Sequence, residues 1–294
     1  VGHESVNAPV IQSRIQAVLD DINAKMSNWD NASEISRFNA SSSGCTQISA
    51  ETAEVVQISQ ELSRLSDGVF DATLGPLIEL WGFGAEFSAD QIPKLQDIED
   101  RLEQIGYQKL HLSGNQLCKD TDSLFVNLSA TAKGYGVDGV AEYLASSGFD
   151  RYLVEVGGEL LARGLNRNDE LWRIGIEAPL DNVISGQVQE LVELENQALA
   201  TSGDYRNYFM QNGVRYSHII DPTTGYPVPQ EIASVTVLHK SAAWADGWAT
   251  ALLALGADKG LQLAEQEGIA AYFVLRKDHG FEVVTSAAWL SAPM

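Results

Sequence analysis

Apolar residues keep a helical spacing through the first third of the chain and then break into short runs of β type. That change, made without regular alternation afterwards, is the strongest limit on the fold. Ile11, Ile15, Val18, Leu19, Ile22 and Met26 recur on one face of a helix predicted over 9–26. A polar, Ser-rich loop is expected over 27–44, then a second amphipathic helix over 51–65 that uses Val55, Val56, Leu62 and Leu65. It stops at the turn Ser66-Asp67-Gly68. A third helix, predicted over 98–105, ends at Gly106. Residues 107–112 and 116–119 flank Ser113-Gly114-Asn115 and read as a hairpin. Residues 124–128 read as a further strand, leading into a helix with Val137, Val140, Ala141 and Leu144 on one face. The middle is strand-rich: 152–156, 159–163, 172–177, 187–194, 198–201 and 205–211 are predicted extended, and Asn212-Gly213 turns the last of these into 214–220. The final third holds a strand over 233–239, helices over 242–255 and 259–267, and a strand over 271–275. Regular strand–helix alternation would argue for a doubly wound parallel sheet; this mixture argues for an α+β fold with mixed or antiparallel sheets and packed helices.

Composition narrows the function classes. The chain has 294 residues, 45% apolar, enough for a substantial core in one large or two ordinary domains. Lys and Arg total 19 against 40 Asp and Glu, a net charge of −21. A surface that acidic repels phosphate backbones and anionic lipid, which argues against nucleic-acid binding and membrane-surface adhesion. No apolar run reaches the length of a membrane span. The sequence opens at Val1 without initiator Met, basic segment or apolar leader, so any targeting segment is expected outside it. Cys45 and Cys118 read as two buried thiols, with a disulfide as the alternative. His3, His111, His218, His239 and His279 are scattered, without the spacing of a zinc site.

Four stretches can carry chemistry. In Ala245-Asp246-Gly247-Trp248-Ala249-Thr250 a helix would stack Asp246 and Thr250 on one face, offering two hard oxygens of the type Mg²⁺ prefers. A dipole-stabilising Asp and a packing Thr would look the same. In Tyr216-Ser217-His218-Ile219-Ile220-Asp221-Pro222 the His can act as general base near a hydroxyl, or serve as a hydrogen-bonded structural residue. The passage from Asn127 to Asp138 can free backbone amides for an anion beside Lys133, as can the turn Thr201-Ser202-Gly203-Asp204-Tyr205-Arg206; a capped helix with a surface Lys, and a plain hairpin, are the alternatives. The Gly- and aromatic-rich stretch over 67–84, with Trp29, suits a planar ligand or an ordinary core.

Singly these segments are ordinary, but their set and order are not. Ser33-Glu34-Ile35-Ser36-Arg37-Phe38-Asn39, residues 67–84 and 128–138, Val154-Glu155-Val156-Gly157-Gly158-Glu159, and residues 201–208, 217–225 and 245–255 occur in one chain. Together they resemble the ApbE family of FAD:protein FMN transferases, or flavin transferases, over residues 11–275. The resemblance implies one flavin transferase domain over 1–294, or two intertwined α+β lobes, with a T-fold-related architecture. It implies an Mg²⁺-dependent enzyme that cleaves the pyrophosphate of FAD and transfers FMN to a Thr or Ser hydroxyl of an acceptor protein, releasing AMP. Expected acceptors are subunits of sodium-pumping NADH:quinone reductases or related electron-transfer complexes. The expected location is the periplasm, with a lipoprotein tether to the inner membrane, and a further N-terminal strand carrying a Met-Gly-Thr element is expected ahead of Val1.

By the same resemblance, Asp246 and Thr250 bind the metal through side-chain oxygens and Ala130 through its backbone carbonyl. Trp29, Val69, Phe70, Asp71, Asn127, Lys133 and Ile220 fall where the family contacts FAD. His218 falls at the position that activates the acceptor hydroxyl, making His218 and Asp246 the expected catalytic residues. Two departures stand out: Asn127 replaces a common Asp, and Ala249 stands where some members carry a second Asp, which bears on the number of metal ions. They leave open an exported FAD-binding protein without turnover, and the same chemistry leaves open an FAD pyrophosphatase that hands FMN to water.

Overall fold

The computed structural model describes residues 7–84, 88, 90–179 and 187–292; His3 lies outside them. The chain begins with α1 (Ala8–Met26), whose Pro9 stands in the first turn, where a missing N–H costs nothing. The expected 27–44 loop contains a helix, α2 (Glu34–Ala40). Ser33 caps it by accepting the Ser36 amide at 3.1 Å, and Ile35 and Phe38 bury its short apolar face. Two buried side chains in seven residues are too few for periodicity to reveal. After β1 (Gly44–Gln47) comes α3 (Ala50–Leu65), tied to α2 because the Glu34 carboxylate accepts from both the amide and the hydroxyl of the Ser49 cap. A short helix with no periodic signal, α4 (Gly75–Leu80), follows. The predicted 98–105 helix is α5 (Leu95–Leu102), displaced toward the N-terminus. One 3₁₀ turn (Tyr107–Lys109) delays the predicted hairpin, formed by β2 (Leu110–Ser113) and β3 (Gln116–Lys119).

Two expectations fail in this region for related reasons. Cys45 and Cys118 are not thiols: β1 pairs antiparallel with β3, setting the two residues opposite each other across 73 positions of sequence, and they form a disulfide. Residues 124–128 are extended but belong to no strand. Two asparagines take the place of neighbouring strands: Asn39 accepts the Val126 amide at 2.7 Å, Asn28 accepts the Leu128 amide at 3.2 Å, and both donate to the Val126 carbonyl. Backbone groups saturated by side-chain amides have no need of a ladder.

The second half is built on α6 (Ala132–Ser146) and a six-stranded antiparallel sheet. In chain order its elements are β4 (Tyr152–Val156), β5 (Glu159–Arg163), the separate hairpin β6 (Trp172–Glu177) with β7 (Val188–Leu194), β8 (Gln197–Gly203), and the separate hairpin β9 (Tyr208–Gln211) with β10 (Val214–Ser217). Then come β11 (Ile232–His239), α7 (Ala242–Leu255), α8 (Ala257–Glu267), β12 (Ala270–Lys277), β13 (Gly280–Thr285) and α9 (Ala287–Ser291). The sheet order is β13-β12-β11-β8-β5-β4. The predicted strands over 205–211 and 214–220 are shorter than expected, leaving 204–207 and 218–220 as loop around His218.

One face of the sheet packs against α7, α8 and α3 through Val235, Val237, Leu252, Leu62 and Phe273. The other is covered by the β6–β7 hairpin and α9, through Leu160, Ile176, Val192, Leu194 and Trp289. With both faces covered, β11 is buried along nearly its whole length, Ser234 and Thr236 included. The architecture is α+β, as expected.

Candidate active site

The site lies where α6 and α7 start. Asn127 opens the approach to α6 with a tight turn, its Oδ1 accepting from the amide of Ser129 at 2.9 Å and its hydroxyl at 2.6 Å. The two helices then cap one another. Asp138 of α6 accepts from the Ser241 hydroxyl and from the amides of Ala242 and Ala243 at 2.8 and 3.0 Å, satisfying the start of α7. Asp246 of α7 returns the favour by accepting the Gly134 amide at 3.0 Å. The approach demands glycine: a Cβ on Gly134 would meet the Ala242 carbonyl oxygen at 2.1 Å.

Charge is concentrated at this crossing. Asp246 is 2% exposed, and Lys133, about half-exposed, reaches over it with its Nζ 3.6 Å from Oδ1. The same ammonium forms a closer ion pair with Glu159, the first residue of β5, also 2% exposed. Burial pushes the Asp246 carboxyl up, to about 7, against the pull of Lys133. Burial likewise raises Glu159. Burial works to lower Lys133, but the two carboxylates outweigh it and hold the ammonium above its ordinary value. Four residues on from Asp246, the Thr250 hydroxyl meets the Ser202 hydroxyl of β8 at 2.9 Å.

Among the described residues no three His, Cys, Asp or Glu gather as a metal cluster. The oxygens present still suit a hard divalent cation: one carboxylate, Asp246, one hydroxyl, Thr250, and the carbonyl of Ala130 just before the α6 start. Magnesium takes few protein ligands and completes its shell with water and substrate phosphate, so this donor set fits it. Glu159 Oε2, buried without a hydrogen-bond partner, adds an acceptor at the same crossing.

The remaining sequence-predicted residues divide into two groups. Residues 69–71 lie beside Asn127, whose amide donates to Ala72 O at 2.7 Å, and Trp29 is 58% exposed next to the Asn28 that grips residues 126–128. Asp71 is engaged on both oxygens, accepting from the amide and hydroxyl of Thr73 and from the Tyr107 amide at 2.9 Å. Phe70 and Ile220 point into core clusters, so only their backbones are left to face a ligand; Val69 is half-buried.

His218 follows β10. Its Nδ1 lies 3.3 Å from the Asn207 carbonyl, which can only accept, so Nδ1 carries the proton and Nε2 keeps its lone pair. Phe83 stands edge-on to the ring at 6.3 Å between centroids. Burial lowers the His218 pKa, and the positive charge of Lys133 lowers it further, which ties the histidine electrostatically to the α6 start.

The sequence stretches named above contain Glu159, Ser202 and Asp138 but gave none of them a role of its own. Glu159 had a signal, a carboxylate leading the strand sequence Leu160-Leu161-Ala162. Asp138 had none, since a polar residue in an amphipathic helix is unremarkable.

The model of the ApbE family matches residues 3–273. A FAD:protein FMN transferase of Vibrio cholerae is 45% identical over 284 residues, covering 96% of this chain and 84% of that protein. The solved structure of the flavin transferase ApbE from Vibrio cholerae superposes with a TM-score of 0.91 at 42% identity, over 99% of this chain and 93% of that one. The apo form of the flavinyl transferase ApbE from Pseudomonas stutzeri gives 0.89 at 40% identity, over 99% and 90%. With the family match running through α6, Glu159, His218 and α7, the chain belongs to the ApbE family.

Proposed function

We propose that this flavin transferase moves FMN from FAD to a Thr or Ser hydroxyl of an acceptor protein and releases AMP, with Mg²⁺ bound by Asp246, Thr250 and the Ala130 carbonyl. The observation that carries the reading is the pairing of Lys133 with the buried Asp246 at the start of one helix, with His218 within range of the Lys133 charge. A helix start beside a lysine is suited to phosphate oxygens. When bound, the metal supplies charge neutralisation on the pyrophosphate.

His218 Nε2 takes the proton of the acceptor hydroxyl as its oxygen attacks the phosphorus of the FMN half. The P–O bond to the AMP phosphate breaks, and AMP leaves with the bridging oxygen. Lys133 balances charge developing on that oxygen. Phosphoryl transfer of this type depends on positioning and electrostatics, the two things these residues offer. Trp29, exposed, would stack on a flat ring, and the backbones of 69–71, with Asn127 and Ile220, would hold the rest of the nucleotide.

The acceptors fitting this reaction are flavoprotein subunits of electron-transfer complexes, the sodium-pumping NADH:quinone reductases among them. A periplasmic site, with a lipid tether to the inner membrane, suits a chain that carries a disulfide, since such bonds persist in oxidising compartments. Mass spectrometry of a candidate acceptor after incubation with FAD and Mg²⁺ tests the proposal. An FMN adduct on Thr or Ser with stoichiometric AMP is expected. Free FMN with an unmodified acceptor would make the protein a pyrophosphatase, and intact FAD would make it a binding protein.

A further inference from the structure

We infer that Glu159 is a positioning residue that holds the Lys133 ammonium away from Asp246, keeping the aspartate open to a divalent cation. The inference rests on the function proposed above. Lys133 stands between two buried carboxylates and is shared unequally: it closes on Glu159 and stays 3.6 Å from Asp246. Unequal sharing matters because an ammonium seated on Asp246 and a metal ion compete for the same oxygens.

The surroundings of Glu159 suit such a task. It heads β5, whose next residues, Leu160 and Ala162, are core. A carboxylate is expensive to bury in such company unless its charge is used. Gly157, at φ +65°, lies against the pair: a Cβ there would sit in ordinary contact, 3.6 Å from both Glu159 Oε2 and Lys133 Cδ. A pair kept only for stability would be saturated with hydrogen bonds, yet Glu159 Oε2 is buried with none. The second carboxylate thus acts as a tether: it stores the lysine beside the cation seat, within reach of a phosphate, without letting it occupy that seat.

The test titrates Mn²⁺, a paramagnetic substitute for Mg²⁺, into the full chain and follows the free ion by electron paramagnetic resonance. Glu159→Gln removes the tether, so Lys133 falls onto Asp246 and Mn²⁺ affinity drops on the order of tenfold. Adding Lys133→Met to that variant restores binding to the wild-type level or above. Glu159→Asp, which keeps the charge on a shorter arm, falls between the two. Should Glu159→Gln fail to fold, Lys133→Met alone decides the matter, since loss of the competing ammonium must leave Mn²⁺ binding at least as tight as wild type. Unchanged affinity in Glu159→Gln, a double variant as weak as the single one, or weakened binding in Lys133→Met overturns the inference. A wild-type chain that binds no Mn²⁺ overturns the proposed metal site and the inference with it; wild-type binding with an unmoved Glu159→Gln overturns the inference alone.

Discussion

Asp246 and Gly134, 112 residues apart in sequence, are joined by a 3.0 Å hydrogen bond from the glycine amide to the aspartate Oδ2. One carboxylate therefore has two duties, finishing a helix start and offering its other oxygen to the site.

Those duties separate by substitution. Asp246→Asn keeps an acceptor for the Gly134 amide and loses the charge, so transfer should fall by at least about 10²-fold with little change in melting temperature. Asp246→Ala orphans the amide as well and should cost a further ~1–3 kcal/mol of stability. Measured rates and urea midpoints for the two variants check this; equal stability losses would remove the structural duty.

At saturating Mg²⁺, which holds the Asp246 carboxyl ionised although burial alone puts it at about 7, His218 sets the acid limb of the pH profile. Burial depresses its pKa below the ordinary 6.5, so the neutral, proton-accepting ring persists to lower pH than a free histidine would allow. Transfer should fall only as pH drops through that depressed value. An acid limb at or above pH 6.5 in kcat/KM, or full activity in His218→Gln, would remove His218 as the base.

The asparagines that replace a strand are testable in the same terms. Asn39→Ala leaves the Val126 amide without its 2.7 Å partner. It should cost about 1–3 kcal/mol in chemical denaturation. It should also raise KM for FAD, because the segment it releases leads to Asn127. A stability loss with KM unchanged would show that residues 126–128 do not shape the nucleotide site.

The disulfide closes a loop of 73 residues. Cys45→Ser with Cys118→Ser should lower stability by about 2–4 kcal/mol, read as a lower urea midpoint with a steeper slope, because the unfolded chain loses its cross-link and exposes more surface. A midpoint that does not move would mean that the β1–β3 pairing is set without the bond.

What the sequence made legible follows from how far each signal reaches along the chain. α1 and α3 announce themselves because each carries an apolar stripe long enough to repeat, α7 because it is apolar nearly all round, and the hairpins of β2–β3 and β9–β10 because their turns carry Gly and Asn at the tips. α2 and α4 are too short to repeat anything. Residues 124–128 have strand composition but find amide side chains where a strand would lie, and no local pattern encodes a partner 87 to 100 residues away. The site shows the same division. Asp246 and Thr250 share a helix face by spacing alone, while the links from Lys133 to Glu159 and from Thr250 to Ser202 exist only once β5 and β8 lie next to one another in the sheet. The cysteines illustrate it best: nothing near either residue marks the other as its partner.

The mutual capping of α6 and α7 makes the candidate site all-or-nothing. Each helix start holds the loose amides of the other, so neither can fray by itself, and the two should exchange their amide hydrogens as one cooperative unit. A molecule that has opened there has also lost the pairing of Lys133 with Asp246. Partly unfolded copies would then neither hoard the dinucleotide nor squander it, and every chain able to bind it would already have its reactive groups in place.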